Sequence, residues 1–162
     1  MTSSFFSYNK AKVIQALRYH FITRKEIRLL MILVNIFAIT SAALFFFKKI
    51  SPFAFLVGSL LWFSLMLVFW FILPHIIYSK AATFKDRFRV GLEEERMFLE
   101  NDMGSRSWPW KAFSSFIESP HFFHLYFDSR SFFLIPKDAF SPDDLSQVRK
   151  IFREKISLVR SS

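Results

Sequence analysis

Two long uncharged apolar runs, parted by Lys48 and Lys49 alone, constrain this chain more than any other feature of it. Neither Leu29–Phe47 nor Ile50–Ser79 contains an Asp, Glu, Lys or Arg. A helix needs about 20 such residues to cross a bilayer's hydrocarbon core, so the runs predict spans at about 29–47 and 53–73. Thr23-Arg24-Lys25-Glu26 has the spacing of a capping box and predicts a helix start near Thr23. Pro52 suits the first turn of the second helix, and Pro74 predicts a kink or stop near its far end.

With only Lys48 to Ser51 as connection, the spans must form a tight antiparallel hairpin with both ends on one side. Six basic residues (Lys10, Lys12, Arg18, Arg24, Lys25, Arg28) precede the first span, and Lys80, Lys85, Arg87 and Arg89 follow the second. The positive-inside rule then predicts a multi-pass protein of the cell (inner) membrane with both termini cytoplasmic. Ser41-Ala42-Ala43 offers a competing signal-peptide reading, opposed by the long basic leader and the second run that follows at once.

Small residues at Ala38 and Ala42, and at Ala54 and Gly58, fall on single helix faces that allow close approach. Asn35 and Ser64 come level and are expected to hydrogen-bond. Trp62, at mid-span, reads as packing. A transport path through Asn35 is the weaker reading, because two helices enclose no pore and no ionisable group lies deep in either span.

The formal charge of +9 raises nucleic acid or anionic lipid as partners. Beyond Ser79, however, fourteen Lys/Arg face twelve Asp/Glu, so the excess hugs the membrane ends. Nucleic-acid binding is therefore the weaker reading, and membrane lipids, not nucleic acid, are the partners expected. Cysteine is absent, which removes disulfides, thiolate metal sites and a cysteine nucleophile.

The organisation expected is a basic amphipathic leader (1–22), a transmembrane hairpin (23–79) and a cytoplasmic domain (80–162). In the leader, Val13, Ile14 and Leu17 share a helix face that suits either the membrane surface or the domain. After Lys80 the period changes to two. Phe88, Val90 and Leu92 alternate with arginines, and runs at 96–100, 105–110, 113–118, 121–127 and 131–135 follow, punctuated by turn residues. About six strands in an antiparallel meander are predicted. A helix over 142–157 closes the chain, with Ser141 as N-cap and Leu145, Val148, Phe152 and Ile156 as its apolar stripe, and with Lys155 and Arg160 near its negative end.

Trp108-Pro109-Trp110-Lys111-Ala112-Phe113, then Phe132-Phe133-Leu134-Ile135-Pro136-Lys137-Asp138-Ala139-Phe140 and the capped helix, resemble the YcxB-like family. That resemblance implies a bacterial membrane protein with two helices before a pleckstrin-homology-like (PH-like) domain, a curved antiparallel sheet capped by a C-terminal helix. The strand count falls one short of seven, and Thr2 to Ser7 is open as the missing strand. The fold class expected is thus membrane α+β, and the resemblance brings no catalytic residues.

Signals for chemistry are weak. Three isolated glycines exclude a Gly-rich phosphate loop. His121 and His124 lie in a strand-like run that points them to opposite faces, without further ligands. His20 has no evident acid or nucleophile beside it. Glu93-Glu94-Glu95 reads as a solvated hairpin connection, and nothing singles out Ser114 or Ser115 as a nucleophile.

No metal, cofactor or catalytic residue is expected. Lys85, Arg87 and Arg89, at period two on one strand face, are candidate contacts for lipid headgroups. Trp108, Trp110 and Lys137 are candidates for a partner-facing or packing role, with Pro109 marking an edge strand or bulge. The sequence favours a membrane-anchored, non-enzymatic interaction module that binds a protein partner or itself. The alternative is a lipid-headgroup-sensing or lipid-modifying protein, and a transporter subunit is a distant third.

Overall fold

The computed structural model describes residues 1–157. The chain separates into two compact units, one formed by Met1–Ala16 together with Ala82 onward, the other by Leu17–Ala81. The expected contribution of Arg160 to the last helix lies outside the described residues.

The second unit is helical. Helix α1 (Lys10–Thr23) begins in the first unit and ends in this one. Asn9 starts it, its Oδ1 accepting from the N–H groups of Ala11 and Lys12. Helix α2 (Lys25–Phe46) follows after a single residue, Arg24. Thr23 is therefore the last residue of α1 and not the cap of α2. Its hydroxyl donates back to the His20 carbonyl at 2.8 Å, while Arg24 stands at the α2 N-cap position with no side-chain cap bond.

Helix α3 (Pro52–Leu67) opens with Ser51 Oγ accepting from the Ala54 N–H and with Pro52 in its first turn. A π-turn over Val68–Ile72 and helix α4 (Leu73–Lys80) continue the same apolar rod. Of the kink or stop expected at Pro74, the stop does not occur, since helix continues to Lys80. The widened turn absorbs the missing N–H, so apolar helix runs unbroken from Pro52 to Lys80. Lys25–Phe46 and Pro52–Lys80 are both long and apolar enough to cross a membrane, and their most apolar windows are 6% and 0% buried.

Between α2 and α3, Phe45 and Phe55 stack at 4.5 Å beside the turn, where Lys48 takes a positive φ of 54°. The expected Asn35–Ser64 bond is replaced. Asn35 Oδ1 accepts from Trp62 Nε1 at 3.3 Å, and Asn35 Nδ2 donates to the Met31 carbonyl. Trp62 stands two residues before Ser64, about half a helical turn away, and its long indole reaches Asn35. Ala38, Ala42 and Gly58 border an apolar groove rather than a tight seam, since a Cβ on Gly58 would meet only ordinary contacts at 3.5 Å.

Among its described residues the first unit holds seven strands in two sheets. Strands β1 (Phe6–Ser7), β2 (Arg87–Leu92), β3 (Arg96–Asn101) and β4 (Gly104–Pro109) form an antiparallel sheet in that order. Strands β5 (Ser115–Glu118), β6 (Phe122–Tyr126) and β7 (Phe132–Pro136) form the other. The single meander of the sequence reading is corrected at Pro109. Beyond it a 3₁₀ turn (Trp110–Ala112) redirects the chain, and β5 pairs with β6 instead of extending the first ladder.

Residues 2–7 do join a sheet: Phe6 pairs with Phe88, Ser7 with Arg87, and Thr2 bridges to Gly91. The leader's Val13 and Ile14 are buried as well, so its first half belongs to this unit. Tyr8 fixes it further, its hydroxyl donating to the Leu134 carbonyl at 2.7 Å.

Helix α5 (Pro142–Ser157) buries Val148, Phe152 and Ile156, each at 2% exposure or less, and the Phe152 ring packs against Trp110, Phe116 and Phe123. Ser141 caps it, accepting from the Asp144 N–H. Full burial of Phe113, Phe122, Phe123 and Phe152 contributes on the order of 1.5–3 kcal/mol each. Two apolar helices, two antiparallel sheets and a closing helix are consistent with an open PH-like fold.

Candidate interaction surfaces

The sequence candidates are brought to three separate places. Lys85 lies in a 3₁₀ turn (Ala82–Lys85) before β2, not on the strand face with Arg87 and Arg89. The other two arginines do share a face. Their guanidiniums lie 5.2 and 4.9 Å from the ring of the half-exposed Phe5, and Arg89 also donates to Glu100, Nη2 to Oε2 at 2.6 Å. The period-two reading failed at Lys85 because the strand starts only at Arg87.

Trp110 is a packing residue. It is 5% exposed, its Nε1 donates to the Glu93 carbonyl, and its ring meets Phe113 and Phe152 under α5. Lys137 is committed too, 2.6 Å from Glu118 Oε1 and 5.5 Å from the Phe123 ring. Arg149 completes that cluster on Glu118. Burial alone would raise the Glu118 pKa, but the hydrogen bonds from Arg149 and Lys137 outweigh it and hold the carboxyl below the usual glutamate range.

Trp108 is different. It sits on β4, the end strand of its sheet, against Phe127 and beneath the Arg106 guanidinium at 5.3 Å. The Trp110 N–H donates to Glu95 O, which sets the alternation along β4. Backbone groups of Gly104, Arg106 and Trp108 face β3, and those of Ser105, Ser107 and Pro109 face outward. Pro109, having no N–H, falls on the outward side, where an edge strand tolerates it.

Beside this edge an open groove of about 420 Å³ is lined by Phe88, Leu99, Trp108 and Phe133, with Arg106 as the one cation in its lining. Sequence reasoning named Trp108 but passed over Arg106 and Ser107. The signal for them was Pro109 itself, which marks the edge strand they stand on.

Across the same sheet, Phe98 and Met103 lie on the outer face with Arg96, Glu93 and Glu100 around them. Gly91 makes room there, since a Cβ at that position would sit 1.9 Å from the Phe98 ring. Met103, 86% exposed, tips the β3–β4 turn, where Gly104 takes a φ of 148° that other residues rarely adopt.

Among the described residues no group of three His, Cys, Asp or Glu could hold a metal ion. His124 is buried between Tyr126 and Phe132, while His121 precedes the strand. His20 is buried in α1, and burial together with Arg24 pushes it down to about 4, which keeps the ring neutral near pH 7. None of these supplies a nucleophile with a base beside it.

Neither curated proteins nor solved structures returned a match to this chain. A family model described as YcxB-like protein does match, over residues 92–152, from the last residue of β2 through Phe152 in α5, and so covers β3 to β7 and most of α5, without β1, the rest of β2 or the apolar hairpin.

Proposed function

We propose that this chain is a membrane-anchored interaction module, with its sheet unit held at the cytoplasmic face to bind a protein partner. One observation carries the reading. Strand β1 precedes the apolar hairpin and β2 follows it, yet the two pair, Phe6 with Phe88 and Ser7 with Arg87. A hairpin crossing a bilayer must therefore return the chain to the side it left.

The unburied apolar surfaces of Lys25–Phe46 and Pro52–Lys80 support lipid as their surroundings. The concentration of Lys and Arg at the ends away from the turn supports the cytoplasm as that side. Outside the hairpin, the half-buried Trp108 and Phe98 and the exposed Met103, on and beside β4, offer contact area, and no reactive constellation competes with them among the described residues.

Headgroup binding by Lys85, Arg87 and Arg89 is the second reading. The neutralisation of Arg89 by Glu100 and the absence of Lys85 from the strand face weigh against it.

The test is in two parts. The chain has no cysteine, so single cysteines at Asn9, Lys49 and Asp128 can be labelled in intact cells with an impermeant maleimide. Labelling at Lys49 alone is expected, and labelling at Asn9 or Asp128 would overturn the topology. A photoreactive residue at Trp108 should then crosslink reproducibly to one protein species. Capture of lipid only would favour the headgroup reading.

A further inference from the structure

We infer that β4 is the docking edge for an extended peptide segment that carries a carboxylate opposite Arg106 and apolar side chains on either side of it. The inference deepens the interaction-module reading and rests on it.

An end strand offers unpaired backbone groups that a further strand can complete. On β4 those are the N–H and C=O groups of Ser105 and Ser107, with Pro109 closing the outward ladder at its far end. Side chains at Arg106 and Trp108 point to the other side of the strand from Ser105 and Ser107, toward the groove containing Phe88, Leu99 and Phe133. An added strand would direct alternate side chains into that groove.

Charge selects the occupant. Arg106 stacks on Trp108 and makes no ion pair with any carboxylate among the described residues, in contrast to Arg89, Arg96 and Arg149. An inward-pointing cation and a proline protect an edge against indiscriminate strand pairing. A segment that brings its own carboxylate to Arg106 removes that obstacle, so the same residue that rejects neutral or basic strands selects an acidic one. The flanking apolar positions, two residues away on the same face, meet the Trp108 ring and the groove floor.

The test uses the full chain in detergent micelles and a fluorescent library of seven-residue peptides. Each has a central glutamate, threonine at the adjoining and terminal positions, and Val, Ile, Leu or Phe two residues to either side of the glutamate. Saturable binding is expected, weakened by about tenfold or more when lysine replaces the central glutamate. Arg106→Glu should reverse that preference. Ser107→Pro, which removes an outward N–H that the fold itself does not use, should abolish binding with the thermal melt unchanged.

Absence of saturable binding by every member, equal binding of the glutamate and lysine peptides, or full binding by Ser107→Pro would each overturn the inference. So would a disulfide formed between two copies carrying Ser107→Cys, which would make a second copy the occupant. The parent reading is separated by a photoreactive residue at Phe98 on the outer face. One reproducible protein captured there, with no peptide bound at β4, would refute the edge assignment and leave the interaction module standing.

Discussion

Arg18 Nε donates to the Trp70 carbonyl oxygen at 2.8 Å, and this is the acceptor that Pro74, four residues further on, has no N–H to reach. The guanidinium lies 5.4 Å from the Trp70 ring and 5.3 Å from that of Phe71. His75 Nδ1 meets the next carbonyl, that of Phe71, at 2.8 Å, and the Leu73 N–H spans the widened turn to Val68 O. Side chains thus serve the carbonyls of Trp70 and Phe71 where the proline interrupts the helix, which explains how an apolar rod of this length tolerates it.

Arg18→Leu should therefore cost about 1.5–3 kcal/mol, the usual worth of a hydrogen bond to a charged group. In a Pro74→Ala background residue 74 supplies its own N–H, and the same substitution should cost far less. Denaturant titration of the four proteins in detergent measures the coupling. Equal losses in both backgrounds would show that Arg18 contributes only through its ring contacts.

Within the hairpin, the Trp62–Asn35 bond predicts that Trp62→Phe lowers stability by about 0.6 kcal/mol, the mean for interhelical hydrogen bonds in membranes. Ser64→Ala should change nothing, because Asn35 is already bonded to Trp62 and Met31. An effect at Ser64 larger than at Trp62 would reinstate the pairing expected from depth alone.

Much of this architecture was legible because its signals are local. Uncharged runs set the hairpin, period-two alternation found Phe88, Val90 and Leu92 on the buried face of β2, and Ser141-Pro142 located the start of α5 within one residue. What failed was tertiary. Thr23 has the right spacing for a cap, yet its hydroxyl turns back to His20. The division into two sheets turns on how Pro109 and Trp110 direct the chain, with Trp110 held by Glu93 across a hairpin. The Arg18–Trp70 contact joins residues 52 apart, and no periodicity records it.

Gly91 shows a constraint that only the packing exposes. The Phe98 ring lies over it on the outer face of the sheet, where a Cβ would approach Cε1 and Cζ to 1.9 Å. Gly91→Ala should cost about 1–3 kcal/mol, the range for overpacking a filled site. Phe98→Ala should relieve most of that loss, leaving the double variant no less stable than Phe98→Ala alone. Thermal melts of the three variants decide it, and a strict sum of the single effects would mean that Phe98 is not what Gly91 accommodates.

Glu118 gives the first unit a defined sensitivity to acid. Its carboxylate, 28% exposed, accepts from Lys137 Nζ at 2.6 Å and from Arg149 Nε and Nη2 at 2.9 to 3.1 Å, tying β5 to α5 and to the turn after β7. Burial raises the pKa, the two cationic partners together lower it by more, and the folded value ends below the ordinary 4.5. The unfolded chain consequently takes up this proton at a higher pH than the folded one. Stability from the cluster is complete above the ordinary glutamate value and is lost as pH falls through it toward the folded value. Glu118→Gln should be less stable than the parent near neutrality, and the gap should close as pH falls from neutrality to below the ordinary 4.5. Melting temperatures of the two proteins across that interval measure the gap; if it stays constant, the ion pairs do not hold α5 in place.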